Sequence, residues 1–123
     1  MRNVLAEWGL GDFTEAVTLI VSELVANSVV ATEKVVWEGG RPPVRLWLLG
    51  GSGPSGSGEV MVVVWDAVPE PRDAGVADVS GRGLGIVSML SGRQWDCYLP
   101  GAPEGGKVTR ALIDHPWRDQ SPD

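Results

Sequence analysis

The longest regular pattern along the chain is helical. Residues 12–32 contain no glycine or proline. Apolar or small side chains recur there at steps of three and four, at Val17, Ile20, Val21, Leu24, Val25 and Ser28. This spacing predicts one long amphipathic helix over 12–32, with Asp12 or Thr14 as its capping residue. Gly11 separates it from a shorter helical segment at 3–8.

Four further apolar runs are typical of strands, at residues 43–49, 59–65, 94–99 and 107–113. The glycine- and serine-rich tract 50–58 is expected to form a hairpin connection between the first two. Residues 84–90 regain helical spacing, and Gly92 ends that short helix. Residues 67–81 hold two prolines and show no period, which predicts a loop or lid.

This order of elements predicts an α+β protein. A long helix, two strands, a short helix and two more strands are compatible with antiparallel pairing, with the helices gathered on one face of the sheet as a two-layer α/β sandwich. A doubly wound dinucleotide fold would need several long helices between strands, and the pattern offers one. We expect a single domain over residues 1–114 and a flexible tail over 115–123.

Composition narrows the class of protein. The chain has 123 residues, of which 43% are hydrophobic and 21% charged, and this balance favours a folded soluble domain without a membrane span. The net charge of −6 disfavours nucleic acid as a partner. No export signal is recognised at the start, and the single cysteine excludes an internal disulfide, so a cytoplasmic location is predicted.

Two polar groups on the long helix are candidates for chemistry. Glu23 and Asn27 are four residues apart, which places both side chains on one face of the helix. An amide oxygen is a suitable ligand for Mg²⁺, and a carboxylate can accept a proton or position water. The alternative is an ordinary pair of solvated helix residues. Asp66, directly after a strand, could accept a hydrogen bond from an exocyclic amine, or simply begin a turn.

A glycine-rich segment precedes the short helix. Gly81, Gly83 and Gly85 alternate with Arg82 and Leu84, and a backbone without Cβ atoms at a helix start can approach phosphates closely. An ordinary flexible turn is the competing interpretation. Residues 101–108 come close to a P-loop, but Val108 replaces its hydroxyl residue and a strand follows, so we expect a hairpin turn there. The sole histidine and sole cysteine form no zinc-site or nucleophile pattern.

Taken in order, the segments VSELVANSV, VWDAVPEP and SGRGLGIVSML resemble the motifs of the GHKL ATPase superfamily, and most closely its anti-sigma-factor serine kinase branch. The resemblance implies a Bergerat-type ATP-binding fold with a mixed, mostly antiparallel sheet. It also implies that Glu23 is the general base or the water-positioning residue, Asn27 the Mg²⁺ ligand and Asp66 the acceptor of the adenine amine. The phosphates would then lie against Gly81, Arg82, Gly83, Leu84 and Gly85, with residues 67–80 as the ATP lid.

Four departures accompany the resemblance, and one of them is Ala31, which stands where family members often carry a histidine. The family pattern D-x-G-x-G is replaced by DAVPEP after Asp66. The threonine of the family's last strand is displaced by one position to Thr109, which we expect to point away from the site. The family's first strand lies upstream of where this sequence starts, so a free sheet edge and a homodimer are expected.

The function implied by the resemblance is an ATP-dependent serine/threonine protein kinase. Its substrate would be a small anti-sigma antagonist protein, with a sigma factor as the alternate ligand. The alternative is a catalytically silent module that binds ATP and switches a protein partner through its lid. A third possibility is a small α/β domain that binds no nucleotide.

Overall fold

The computed structural model describes residues 2–33, 40, 43–53, 58–68, 83–101 and 105–115. In these ranges the chain forms three α-helices and four strands. The helices are α1 (Arg2–Glu7), α2 (Thr14–Thr32) and α3 (Gly83–Ser91), and a 3₁₀ turn, Gly11–Phe13, leads into α2. The strands are β1 (Val44–Ser52), β2 (Gly58–Asp66), β3 (Trp95–Tyr98) and β4 (Lys107–Ile113). The predicted α+β class is confirmed.

The four strands form one sheet in the order β1-β2-β4-β3, and each described pairing is antiparallel. Asp66 lies opposite Val44 of β1 on one side and opposite Lys107 of β4 on the other. The end of β2 and the start of β4 therefore meet in the middle of the sheet.

Alternation along β2 decides which face the helices cover. Val60, Val62 and Val64 are buried in the core together with residues of α2 and α3. Leaving such side chains exposed would cost about 1.5–3 kcal/mol each. Asp66 continues the same alternation and is likewise fully buried. The packing that builds the core thus directs a carboxylate into the interface between the sheet and the helices.

The start of helix α2 differs from the prediction. Phe13 occupies the position before α2, and no side chain caps the helix there, so the capping role predicted for Asp12 or Thr14 is wrong. The 3₁₀ turn supplies the reason, since Thr14 donates its backbone N–H to the Gly11 carbonyl. A backbone turn has replaced the side-chain cap.

Strands β1 and β2 both extend into the glycine- and serine-rich tract. Gly51 pairs with Glu59, and Ser52 pairs with Gly58. A Cβ on Gly58 would overlap with the side chain of Leu10, and one on Gly50 would lie 2.7 Å from the Trp8 ring. Glycine is used here because the N-terminal segment packs flat against this end of the hairpin.

The long helix is also a candidate for a membrane span. Residues 11–32 are long and apolar enough to cross a membrane by length and composition alone, which differs from the prediction that the chain has no membrane span. Its side chains Ala16, Val17, Ile20 and Leu24 are nevertheless buried in the core. This packing gives the apolar composition of α2 a structural role within the domain.

Candidate functional site

Asp66 is the centre of a buried polar cluster where α2 crosses the sheet. Asp66 is almost fully buried. Ser28 of α2 donates its hydroxyl to Asp66 Oδ2 at 2.6 Å, and the backbone N–H of Val68 donates to Oδ1 at 3.0 Å. Because a buried carboxylate is costly unless hydrogen-bonded, these contacts hold Asp66 in one orientation.

Lys107 completes the cluster from the neighbouring strand. Its Nζ lies 3.3 Å from Asp66 Oδ2, and the two side chains are 4% and 1% exposed. They are directly opposite each other across β2 and β4. The desolvation of both charges offsets much of their attraction, but removal of one would leave the other buried without a partner. The two charges are therefore interdependent.

Glu23 and Asn27 are both half-buried on α2. Asn27 is next to Ser28, and its Nδ2 is buried without a hydrogen-bond partner in the structure as described. Such a group is expensive to leave unpaired, at about 1–3 kcal/mol. An unsatisfied buried donor beside a charged cluster is a property expected of a binding site rather than of a core.

Asn27 lines a small cavity between α2, α3 and the sheet. Its volume is about 10 Å³, room for roughly one water molecule. The cavity also contacts side chains from both helices and two strands, namely Leu24, Ser28, Leu84, Trp95, Cys97, Lys107 and Thr109. The structure thus brings Asn27 and Leu84, which are far apart in sequence, to one place beside Lys107. Glu23 does not line this cavity.

The glycine segment is described only from its middle onward. Gly81 and Arg82 lie outside the described residues, as does most of the predicted lid. Gly83 begins α3, and an added Cβ on Gly85 would meet nothing within 4 Å. The protein's own packing therefore does not require glycine at position 85. The predicted helix that follows the glycines is confirmed.

Sequence reasoning missed three residues of the cluster. Ser28 interrupts the apolar face of α2, and Lys107 and Thr109 share the helix-facing side of β4, opposite Asp66 and Val64. The expectation that Thr109 points away from the site is wrong, because the pairing register places it over the cavity. Alternation counted from Lys107 to Ile113 would have revealed the two β4 residues.

The P-loop-like segment lies partly outside the described residues, but Gly105 donates its backbone N–H to the Gly101 carbonyl at 2.8 Å, and the strand predicted after it is confirmed. Gly106 has φ +70°, and a Cβ there would overlap with the Asp66 carbonyl oxygen. The Trp65 indole N–H donates to the Gly105 carbonyl at 2.9 Å, and Lys107 then opens strand β4. The turn therefore serves to deliver Lys107 to Asp66.

The described residues offer no metal site made by these side chains alone. Within the described ranges there is no group of three or more His, Cys, Asp or Glu residues that could hold a metal ion. Mg²⁺ commonly uses only one or two protein ligands when phosphates supply the rest. Asn27, with Glu23 one turn away, suits that arrangement and does not suit a metal held by protein alone.

A much larger cleft lies elsewhere. A cleft of about 870 Å³ is lined by the N-terminal segment, including Trp8 and Leu10, and by the hairpin residues from Leu48 to Ser52. These residues pair with the start of β2, whereas Asp66 is at its end. The cleft is thus at the opposite end of the hairpin from the polar cluster. It contains neither an unpartnered buried polar atom nor an ion pair among its described residues.

Comparison with known proteins adds no assignment: no family model, curated protein or solved structure matches the chain.

Proposed function

We propose that this protein is a Mg·ATP-binding regulatory domain of the GHKL type, with a Bergerat-type fold, acting as an anti-sigma-factor serine/threonine kinase. The observation that supports it best is the cluster at the crossing of α2 and the sheet. There Asn27, Ser28 and Leu84 at the start of α3 line one small cavity, the Asn27 Nδ2 has no hydrogen-bond partner among the described residues, and Ser28 also donates to Asp66 beside the cavity. Buried side-chain polar atoms are usually hydrogen-bonded, so this amide has capacity for a ligand.

Each proposed role follows from the chemistry of its side chain. The Asn27 oxygen would contribute to the coordination of Mg²⁺, whose charge neutralises the phosphates of ATP. Glu23, one turn earlier on the helix, would accept the hydroxyl proton of the substrate. Asp66 would accept a hydrogen bond from the adenine amine. Gly81, Arg82, Gly83 and Gly85 would line the phosphates together with the backbone of Leu84.

A thermal-shift titration tests nucleotide binding. ATP with Mg²⁺ is expected to raise the melting temperature, because a ligand that binds only the native state stabilises it by mass action. GTP should give a smaller shift if Asp66 recognises the adenine amine. In Asn27→Ala, removal of Mg²⁺ should no longer change the ATP response. Absence of any shift with ATP would contradict the proposal.

A transfer assay tests catalysis separately from binding. Glu23→Gln is expected to keep ATP binding but to abolish phosphorylation of a small antagonist protein, since the amide cannot accept the proton. Glu15→Gln is the matched control, because Glu15 is exposed on the first turn of the same helix. Unchanged phosphorylation by Glu23→Gln would refute its catalytic role.

One observation favours the silent alternative. Val68 donates to Asp66 Oδ1 directly after β2, in the segment DAVPEP where the family has a glycine hinge. This turn ties the start of the lid to the site. In such a protein, ATP would shift the lid between two conformations, and a sigma factor or its antagonist would bind one of them better. ATP-dependent partner binding without phosphate transfer identifies this case.

The oligomeric state belongs to the same proposal. β1 is an edge strand of nine residues within the described sheet, and Trp47 and Leu49 are exposed along it. Free edges of this kind pair with other strands unless they are covered. We therefore expect a cytoplasmic homodimer, and a strict monomer in sedimentation at high protein concentration would contradict it.

A further inference from the structure

The face of the sheet that points away from the helices, here called the outer face, carries an apolar patch. By strand alternation, Trp47 and Leu49 of β1 project to this face beside their register partners on β2, Val63 and Met61. Leu112 of β4, opposite Met61, continues the patch. Within the described ranges, none of these five side chains belongs to the hydrophobic core or packs against it. An apolar patch of this kind on a folded domain is typical of a protein interface.

Opposite charges lie at the two ends of the patch. Arg45 precedes it on β1, and its guanidinium carbon is 5.6 Å from the centre of the Trp65 ring. Glu59 lies beyond the other end, on β2, and its side chain leans over Gly51 of β1, because a Cβ on Gly51 would be 3.7 Å from Glu59 Oε1. In the described part of the chain, neither charge has an ion-pair partner. The outer face is therefore positive at one end, apolar in the middle and negative at the other end.

A face with this pattern is complementary to itself. Consider a twofold axis that runs across the strands, between two facing sheets. It places each strand over the same strand of the other copy and exchanges the two ends. Arg45 of one copy then faces the partner's Gly51, over which the partner's Glu59 leans, and Trp47 faces the partner's Leu49.

The other face-to-face arrangement fits less well. With the sheets fully overlapped, a twofold axis along the strands places β1 of one copy over β3 of the other. The apolar side chains of β1 would then lie over Asp96, which shares the outer face with Arg110. Charge and apolar pattern together therefore favour the axis across the strands.

We propose that the outer face binds a second copy of this chain, sheet against sheet, with Arg45 of each copy opposite the partner's Glu59. The inference deepens the homodimer expected above, and it does not depend on nucleotide binding. It assigns the contact to the outer face of β1 and β2 and not to the edge of β1. Facing sheets pack about 10 Å apart through interdigitated side chains. Aromatic residues and methionine, both present in the patch, are enriched at protein interfaces.

The dimensions of the outer face set the expected affinity. With a rise of about 3.4 Å per residue and a strand spacing of about 4.8 Å, the four-stranded face from Arg45 to Gly51 measures roughly 24 by 19 Å. Two copies would cover on the order of 900 Å² of flat area between them, which belongs to the low end of specific interfaces. We therefore expect a dimer that dissociates in the micromolar range.

Charge reversal tests the arrangement directly. Sedimentation equilibrium of the full chain over a series of micromolar concentrations measures the dissociation constant. Arg45→Glu and Glu59→Arg should each weaken the dimer at least about 10-fold, because like charges then meet at two symmetry-related places. An equal mixture of the two variants should dimerise like the original chain, since each variant meets its complementary charge in the other. Glu15→Arg, a charge reversal at an exposed position of α2, is the matched control and should leave the dimer unchanged.

Three results would overturn the inference. Unchanged dimerisation of Glu59→Arg would do so, because β2 is one strand in from the edge and an edge-paired dimer would not use Glu59. A mixture of the two variants that does not recover would do so as well. An original chain that stays a monomer overturns both this inference and the expected homodimer, whereas the thermal-shift titration reports on ATP binding independently.

A second pair of variants decides if a charge reversal prevents folding. Trp47→Ser removes an exposed ring from the patch and should weaken the dimer. Trp8→Ser is the matched control, because Trp8 lies in the N-terminal segment and is similarly exposed, at 45% against 47% for Trp47. It should retain the dimer. Equal effects of the two substitutions on the dissociation constant contradict the proposed interface.

Discussion

Two ion pairs connect strand β4 to its neighbours, and they lie on opposite faces of the sheet. Lys107 meets Asp66 beneath the helices, where both side chains are almost fully buried. Arg110 meets Asp96 on the other face, where the side chains are 39% and 53% exposed. Each pair joins a cation of β4 to a carboxylate of a neighbouring strand, and the two pairs differ strongly in their exposure to solvent.

The exposed pair of Arg110 and Asp96 has good geometry but contributes little to the stability of the fold. Arg110 Nε donates to Asp96 at 2.9 Å, and the guanidinium lies 4.8 Å from the centre of the Tyr98 ring. The hydrogen bond from Arg110 lowers the pKa of Asp96, and the same contact raises the pKa of Arg110. Water and salt nevertheless screen such pairs to about 0–1 kcal/mol. For the buried pair, each charge depends on the other, because water cannot replace a lost partner.

Among these changes, breaking the buried pair of Lys107 and Asp66 should lower the free energy of unfolding the most. Lys107→Met leaves Asp66 buried and unpaired, and the free energy of unfolding should fall by about 3–5 kcal/mol. Urea denaturation measures it. Adding Asp66→Asn removes the second charge and should restore part of the loss. A Lys107→Met protein as stable as the original would show that Asp66 reaches water in the folded protein.

The hydroxyl of Ser28 should have the next largest effect. Ser28→Ala removes the 2.6 Å hydrogen bond to Asp66, and a bond to a charged group contributes about 1.5–3 kcal/mol. Ser22→Ala is the matched control, because Ser22 is exposed on the same helix and should change stability by less than about 0.5 kcal/mol. Equal effects of the two substitutions would mean that Ser28 contributes only helix propensity.

The turn that delivers Lys107 can be tested at Gly106. Gly106→Ala places a side chain at φ +70° and against the Asp66 carbonyl oxygen, and strain of this kind costs about 1–3 kcal/mol. The control is Gly101→Ala, where φ is +81° but no atom lies within 4 Å of the added Cβ. The difference between the two denaturation midpoints isolates the close approach to Asp66. No difference would mean that backbone strain accounts for the whole effect.

Breaking the exposed pair should have a small effect. Arg110→Met and Asp96→Asn should each lower the free energy of unfolding by no more than about 1 kcal/mol, because both groups regain water. Raising the salt concentration should reduce the effect further, since screening already weakens the pair. A loss approaching that of Lys107→Met would contradict the proposed contrast between the two faces.

The change with pH in the stability that the exposed pair contributes should be the smallest of these effects. Because the pKa of Asp96 is lowered in the folded protein, its contribution is fully present above the ordinary carboxyl pKa of about 3.9. It is lost as the pH falls through the folded value. The stability difference between the original chain and Asp96→Asn should therefore be constant near neutral pH and shrink in acid. Urea midpoints between neutral and acidic pH measure it, and a difference that grows in acid would contradict the sign.

Much of the fold could be predicted because local patterns determine it. The periodicity from Val17 to Ser28 predicted α2, and apolar runs predicted all four strands, with boundaries displaced by a few residues. The displacement of β1 and β2 came from Gly50 and Gly58, which accept Trp8 and Leu10 only in the folded hairpin. Contacts between segments distant in sequence leave no local period to count.

The residues of the candidate site also fall into two groups, those recognisable from the sequence and those that only the fold places together. Glu23, Asn27, Asp66 and the glycines were selected from residue type and spacing, since those chemistries are recognisable one by one. Lys107 and Thr109 could be placed beside Asp66 and Val64 only after β4 was paired with β2, because strand register decides which side chains are neighbours. Ser28 could be placed only after α2 was packed on the sheet. The sequence by itself determined the elements and the types of polar group they carry. The tertiary structure alone decided that Asp66 would be buried against a lysine, because burial depends on what the fold places above a residue.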